Sequence, residues 1–143
     1  MRTRTRRMAA VALSGLTATV VGAAPAAADV QPNVTWRSYG YSEASEDDVG
    51  GRDVYASLNT GTGSAYEAGF RAYGEWFWVR ENRTDGHGLR AYLSVEGFGT
   101  ATYVINTSGD DWNLSFPEGR AVSVKVCIDG TSTCSNWYGG GRT

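Results

Sequence analysis

Apolar and polar residues alternate strictly from residue 121 to residue 128, and this pattern constrains the fold more than any other feature of the chain. Every second position is apolar, with Val122, Val124, Val126 and Ile128 in one set and Ala121, Ser123, Lys125 and Cys127 in the other. Successive side chains of a β-strand point to opposite faces of its sheet, whereas an amphipathic helix repeats every 3.6 residues. The segment is therefore predicted to be a strand with one buried face.

The same alternation of apolar and polar residues recurs through the chain from residue 29 onward. Short alternating segments rich in aromatic and β-branched residues are separated by glycines, without a sustained helical period. We therefore predict an all-β fold, a single antiparallel β-sandwich of the immunoglobulin-like or jelly-roll-like kind. The expected strands are Val34–Tyr41, Asp53–Leu58, Tyr66–Tyr73, Glu75–Arg80, Gly88–Glu96, Thr100–Asn106, Asp111–Phe116, Arg120–Ile128 and Cys134–Tyr138.

The first 28 residues form a different kind of segment. Four arginines precede an apolar run from Met8 to about Gly22, and the segment ends in Ala26-Ala27-Ala28. A cationic head, an apolar centre and a small-residue exit are the three parts of a cleaved secretion signal. The apolar run is interrupted by polar residues and is shorter than the roughly 20 residues that a membrane span needs. We expect a signal peptide over residues 1–28 and a secreted, extracellular domain over residues 29–143.

Cleavage would make the protein more acidic. The full chain has 13 basic and 15 acidic residues, and losing the four leader arginines leaves nine basic residues against 15 acids, a net charge of −6. The remaining arginines are scattered among acids, so no basic surface for a phosphate backbone is expected. We predict no nucleic-acid partner, no membrane association after cleavage, and a monomer.

The two cysteines predict a disulfide. Six residues separate Cys127 from Cys134, and Asp129-Gly130 favours a turn between them. In an exported chain, a cysteine pair without neighbouring histidines is typical of a structural bridge rather than of a metal or redox site. The Cys127–Cys134 bond is expected to clamp a hairpin near its loop.

A second hairpin is expected around the turn sequence Asp85-Gly86. Leu89 and the alternate residues after it are predicted to face the core, together with Phe77 and Val79 of the preceding strand. Pairing these two strands across the turn would place Val79 opposite Leu89 and Phe77 opposite Ala91 inside the fold.

That register would also create an aromatic ladder on the outer face. Trp76 would lie opposite Tyr92, and Trp78 opposite Arg90, so that two indoles and a guanidinium share one surface. Exposed indoles on a flat sheet commonly stack against sugar rings or aromatic groups. The alternative is that the tryptophan face is itself buried, in which case it has no binding role. The predicted ligand-binding residues are Trp76, Trp78, Arg90 and Tyr92.

Catalytic and metal-binding chemistry has few candidates. The single histidine, His87, lies in a predicted turn, where histidine is typically a polar loop residue. The sequence lacks the G-x-S-x-G order of a nucleophile elbow, and the acidic segment 43–53 lacks the order of a calcium-binding loop. We expect no enzymatic activity, no cofactor and no metal.

The second half of the mature region resembles a known group of proteins. The run Phe116-Pro117-Glu118-Gly119-Arg120, the valine-rich strand after it and the short Cys127–Cys134 hairpin, together with the leader, are similar to small secreted actinobacterial proteins of uncharacterised function. The resemblance implies secretion and a β-sandwich, and it implies no activity or site residues.

Two functional hypotheses follow from these features. The first is a secreted binding domain for an extracellular polysaccharide or cell-envelope ligand, acting through the aromatic ladder. The second is a secreted antagonist, either an inhibitor or a toxin, of a protein from another cell, with the loop from Asn82 to His87 making the contact.

Overall fold

The computed structural model of the protein describes residues 34–61 and 63–143, and the expected signal peptide over residues 1–28 lies outside them. All strand pairings in the described part are antiparallel. None of the described residues belongs to an apolar helix of membrane-spanning length. The expected all-β architecture is confirmed. The strands are β1 (Arg37–Ala44), β2 (Arg52–Thr60), β3 (Gly63–Arg71), β4 (Trp76–Glu81), β5 (Leu89–Val95), β6 (Gly99–Ile105), β7 (Gly109–Asn113), β8 (Ala121–Ile128) and β9 (Tyr138–Arg142).

The strands form one sheet that curls until it is nearly barrel-shaped. Its order is β6-β5-β8-β9-β2-β3-β4-β7, and β1 pairs with β2 beside this path. The pairing of Arg142 in β9 with Arg52 in β2 connects the two halves that would otherwise be separate layers. The expected two-sheet sandwich is therefore not confirmed, because hydrogen bonding runs through the whole set of strands.

The interior is filled by alternate residues of the curled sheet. The valines of β8 are fully buried, as their alternation predicts, and β5 alternates between buried and half-buried residues along its whole length. Both strands contribute to one continuous core with β2, β3 and β4. The largest fully buried side chains are Tyr66, Phe70, Phe77, Leu58, Leu89 and Leu93.

The predicted pairing between the strands around Trp76 and Tyr92 is wrong. β4 pairs with β3 and β7, whereas β5 pairs with β6 and β8. Phe77 and Val79 do share the core with Leu89 and Ala91, as expected, but from strands that are not hydrogen-bonded neighbours. The connection between these strands is not a tight turn, because the carboxylate of Asp85 is buried inside the fold.

Asp85 fixes this connection by a buried hydrogen-bond network. The hydroxyl of Tyr66, which is fully buried, donates to both carboxylate oxygens of Asp85 at 2.8 and 2.9 Å. The guanidinium of Arg83 forms an ion pair with the same carboxylate at 3.0 Å and lies over the ring of Trp36. Trp36 in turn packs against Tyr66. The segment after β4 is thereby held against the end of the core rather than forming a hairpin.

The last strand begins later than the sequence predicts, at Tyr138 rather than Cys134. Cys127 and Cys134 form only an isolated bridge. The amide of Val126 donates to the hydroxyl of buried Ser135 at 3.0 Å, and this hydroxyl donates to the carbonyl of Asn136. The Ser135 hydroxyl thus accepts the hydrogen bond from Val126 that a backbone carbonyl of a paired strand would accept. Regular pairing with β8 begins only at Tyr138.

The expected Cys127–Cys134 disulfide is confirmed. It closes an eight-residue ring, for which the chain-entropy model gives about 2.5 kcal/mol of stabilisation. We predict that the double substitution Cys127→Ala/Cys134→Ala lowers the free energy of unfolding by about this amount, measured by urea denaturation. Addition of a reductant should lower the midpoint of the unaltered protein and leave that of the variant unchanged. Equal midpoints for the two proteins would contradict this role.

Burial, and next the hydrogen bond to Asp85, raise the pKa of Tyr66 above its ordinary value. Above pH 10 the unfolded chain ionises Tyr66 while the folded chain retains the proton, so stability falls as the pH rises through this range. Tyr66→Phe should cost about 1 to 3 kcal/mol at pH 8, because it leaves Asp85 with fewer partners. The difference between the two proteins should shrink by roughly 1 kcal/mol per pH unit above pH 10. Denaturation curves from pH 8 to 11 test this, and a constant difference would contradict it.

Candidate functional site

The four predicted ligand-binding residues lie on the outer surface but not together. Trp76 is 40 % exposed and Trp78 is half-buried on the outer side of β4. Arg90 and Tyr92, both half-buried, lie on the outer side of β5. Because β4 and β5 are not neighbours, the single aromatic ladder is replaced by two surfaces. We call them the aromatic face, formed by Tyr39, Tyr41, Tyr55, Trp76 and Trp78, and the cation cluster, formed by Arg90, Tyr92, Lys125 and Trp137.

The aromatic face arises from the register of three consecutive hairpin pairings. Tyr41 lies opposite Tyr55, Tyr55 opposite Gly69, and Gly69 opposite Trp78. Directly opposed residues of antiparallel strands project to the same side of a sheet. The three rings therefore form a row across β1 to β4, with centroids 5.2 Å apart for Tyr41 and Tyr55 and 5.9 Å apart for Tyr55 and Trp78.

Gly69 allows Trp78 to lie down on the sheet. A Cβ atom at this position would come within 2.5 Å of the indole carbons of Trp78. The missing side chain thus creates the space that the indole fills beside Tyr55. The planes of the two rings are inclined by 32°, so the row presents a gently stepped surface rather than separate upright rings.

Polar groups frame the row. The guanidinium of Arg80 lies 5.7 Å from the centre of the Trp78 ring and pairs with Asp111 at 3.0 Å. On the other side the hydroxyl of Tyr55 donates to Glu67, and burial followed by this hydrogen bond raises the pKa of Tyr55. The Arg80–Asp111 pair is too exposed to stabilise the fold much, but it fixes hydrogen-bonding groups beside the rings.

Two adjoining clefts border the aromatic face. One, of about 470 Å³, is lined by Trp76, Tyr73 and residues of the β1–β2 connection, and the other, of about 230 Å³, lies beside Tyr41 and Trp78. Glu43, Asp53 and Arg71 line both. The rings offer apolar contact to a ligand, the carboxylates accept hydrogen bonds and the guanidinium donates them. Across residues 34–61 and 63–143, no group of three His, Cys, Asp or Glu side chains is placed to hold a metal ion.

The cation cluster retains part of the predicted site. The guanidinium of Arg90 lies 5.9 Å from the centre of the Tyr92 ring. The ammonium of Lys125 lies 5.8 Å from both the Tyr92 and the Trp137 ring centres. Arg90 is already bound to Asp129 at 3.2 Å and to the carbonyl of Thr131 at 3.3 Å. The cations of this cluster are therefore held largely by its own rings and by the turn after β8.

His87 is exposed in the segment after β4. It lines a cleft of about 450 Å³ together with Glu81, and its backbone N–H donates to Asp85 at 3.1 Å. Burial, and next the negative charge of Asp85, raise the pKa of Glu81. No nucleophile of the described residues is bonded to either side chain in this cleft.

Sequence reasoning missed Tyr39, Tyr41 and Tyr55. The signal was present in the alternation of Tyr39 and Tyr41 and in the acidic turn that follows, which closes a hairpin through the bond from the Ser45 amide to the Gly51 carbonyl. The predicted strand ended at Tyr41, which hid the pairing of β1 with β2 as far as Ala44. Without that pairing, the tyrosines could not be placed beside the tryptophans.

Comparison of the chain with protein-family models, with curated proteins and with solved structures found no match. The resemblance to small secreted actinobacterial proteins stays a prediction. The geometry of the aromatic face is therefore the basis for any functional argument.

We predict that Gly69→Ala displaces the Trp78 indole from the sheet. The added methyl group would overlap the ring, and the half-buried side chain can rotate outward at a cost of about 1 kcal/mol. Acrylamide quenching of tryptophan fluorescence should increase in this variant. Gly61→Ala is the control, because nothing lies within 4 Å of a Cβ at that position. Equal quenching in the two variants would contradict the described packing.

Proposed function

We propose that the protein is a secreted, non-catalytic domain that binds an extracellular or cell-envelope polysaccharide through its aromatic face. The observation that carries the proposal is the row of Tyr41, Tyr55 and Trp78 on one side of the sheet, with Tyr39 and Trp76 beside it. The side chains of Tyr39, Tyr41 and Trp76 are 40 to 54 % exposed, whereas other large aromatic side chains of this fold are buried in the core.

The chemistry of the face matches a sugar chain. One side of a pyranose ring presents mainly C–H groups, which pack favourably against the electron-rich face of an aromatic ring. The sugar hydroxyls at the ring edge need donors and acceptors, which Arg80, Asp111 and Glu67 supply beside the row. An elongated row across four strands suits a chain of sugar units better than one small compact ligand.

Arg90 and Tyr92 remain part of the proposal as a second contact surface. They no longer share a surface with Trp76 and Trp78, so they would contact a different part of a long ligand or a different ligand. The proposal that the domain is not catalytic is supported by the exposed position of its histidine, His87, in the segment after β4.

Secretion of residues 29–143 and a two-layered form of the domain also belong to this proposal. The Cys127–Cys134 disulfide is typical of oxidising compartments outside the cytoplasm and supports the reading of the leader. Contact between β3 and β8, which are not paired, supports a sheet flattened into two layers as in a sandwich.

A secreted antagonist of another cell's protein is the second candidate. The observation that favours it is the anchoring of the segment from Asn82 to His87 by the buried Asp85 carboxylate. A loop held in one conformation loses little entropy on binding, as a protein inhibitor requires.

Titration calorimetry with soluble glycans and cell-wall fragments tests the proposal. The double variant Trp76→Ala/Trp78→Ala should bind at least tenfold more weakly, because each stacked ring contributes about 1 kcal/mol to the binding free energy. Phe98→Ala is the matched control, because Phe98 is 56 % exposed but lies in neither the aromatic face nor the cation cluster. Undiminished glycan binding by the double variant would contradict the proposal, and a lack of binding to every glycan by the unaltered protein would contradict it and favour the antagonist.

A further inference from the structure

The curled sheet ends in two strands that have a single partner each. β6 pairs only with β5, and β7 pairs only with β4 among the described strands. An edge strand exposes unpaired N–H and C=O groups that can bind another strand, and natural proteins usually protect such edges with charges, prolines or covering segments. The two edges of this sheet differ in this respect.

The β7 edge is protected by charge. Asp110 and Asp111 are both exposed at its centre, so a second strand brought alongside would face two carboxylates. β1 also has one partner strand, but the segment before β9 lies against it, with the hydroxyl of Ser38 bonded to the Tyr138 hydroxyl at 2.8 Å and to the Asn136 amide at 2.7 Å.

Within residues 34–61 and 63–143, no charged side chain, proline or further strand protects the β6 edge. Its sequence, Gly-Thr-Ala-Thr-Tyr-Val-Ile, contains no charged residue and no proline. Its first four residues and Val104 are exposed, and Phe98 just before the strand is 56 % exposed. An uncharged edge rich in β-branched residues is suited to pair with another strand.

The hydrogen-bond phase of β6 can be deduced from its neighbours. The Glu96 amide bonds to the Ala121 carbonyl and the Asp129 amide to the Gly88 carbonyl, so even-numbered residues of β5 direct their backbone groups toward β8. Odd-numbered residues of β5 then bond to their partners in β6, which are also odd-numbered. The backbone groups of Thr100, Thr102 and Val104 are therefore those that point away from the sheet.

We propose that two copies of the chain associate by antiparallel pairing of their β6 strands about Thr102. Thr102 would lie opposite Thr102 of the second copy, and Thr100 opposite Val104. This register brings every outward-pointing backbone group to a partner, giving about six hydrogen bonds, and it sets β-branched side chains opposite one another. The twofold arrangement uses up both edges and cannot continue into a fibre.

This pairing would also join the two cation clusters. Tyr92 lies opposite Thr102 on one side and opposite Lys125 on the other. The dimer would therefore have a continuous row running from Lys125 through Tyr92 and the two threonines to the same residues of the second copy. The sequence-based expectation of a monomer took no account of this edge.

Sedimentation equilibrium of the purified protein tests the proposal with two variants. Thr102→Lys places two ammonium groups at the twofold axis, and Thr102→Pro removes an outward N–H from each copy while sparing the bonds to β5. Each should raise the dimer dissociation constant by about tenfold or more, with unchanged far-ultraviolet circular dichroism. Ser132→Lys, which adds the same charge to the exposed turn before Cys134, should dimerise as the unaltered protein does.

Hydrogen exchange gives an independent readout. The amides of Thr100, Thr102 and Val104 should become protected as the protein concentration rises, whereas those of Ala101 and Tyr103 should be protected at every concentration. A purely monomeric unaltered protein, or a dimer that is undiminished in both Thr102 variants, would overturn the proposal.

Discussion

The alternation of inward and outward side chains along each strand is the constraint on which the rest of this structure depends. Once Val54, Phe70 and Phe77 are packed inside, their neighbours along the chain must face outward, and these neighbours include Tyr55, Gly69 and Trp78. The aromatic face is thus a direct consequence of the way the core is filled. A shift of one residue in any of these pairings would bury the rings and expose the core.

The local sequence pattern was sufficient to predict which side chains of a strand are buried and which cysteines are bonded. The valine alternation of β8, the burial of Phe77 and Val79, and the Cys127–Cys134 bridge all follow from spacing within a few residues. Trp112, Leu114 and Phe116 alternate along the expected strand Asp111–Phe116 in the same way, and all three lie half-buried against the core. These properties need no knowledge of which strands are neighbours.

Strand pairing could not be predicted in the same way. Asp85-Gly86 has the composition of a hairpin turn, but Tyr66, about 20 residues earlier in the chain, binds the Asp85 carboxylate. The segment therefore connects two strands that are not paired with each other. The order of strands depends on such long-range contacts, which leave no periodic trace in the sequence. The sequence therefore indicated that Trp76, Trp78, Arg90 and Tyr92 face outward, but not how they are grouped.

The proposed binding of glycans by the aromatic face is best tested on the resolved signals of the tryptophan side chains. The five indole N–H groups can be followed separately by nuclear magnetic resonance as soluble glycans are added. We predict that the Trp76 and Trp78 signals shift together while those of Trp36 and Trp112, which pack against the core, stay in place. Saturable binding that leaves Trp76 and Trp78 unshifted would contradict it.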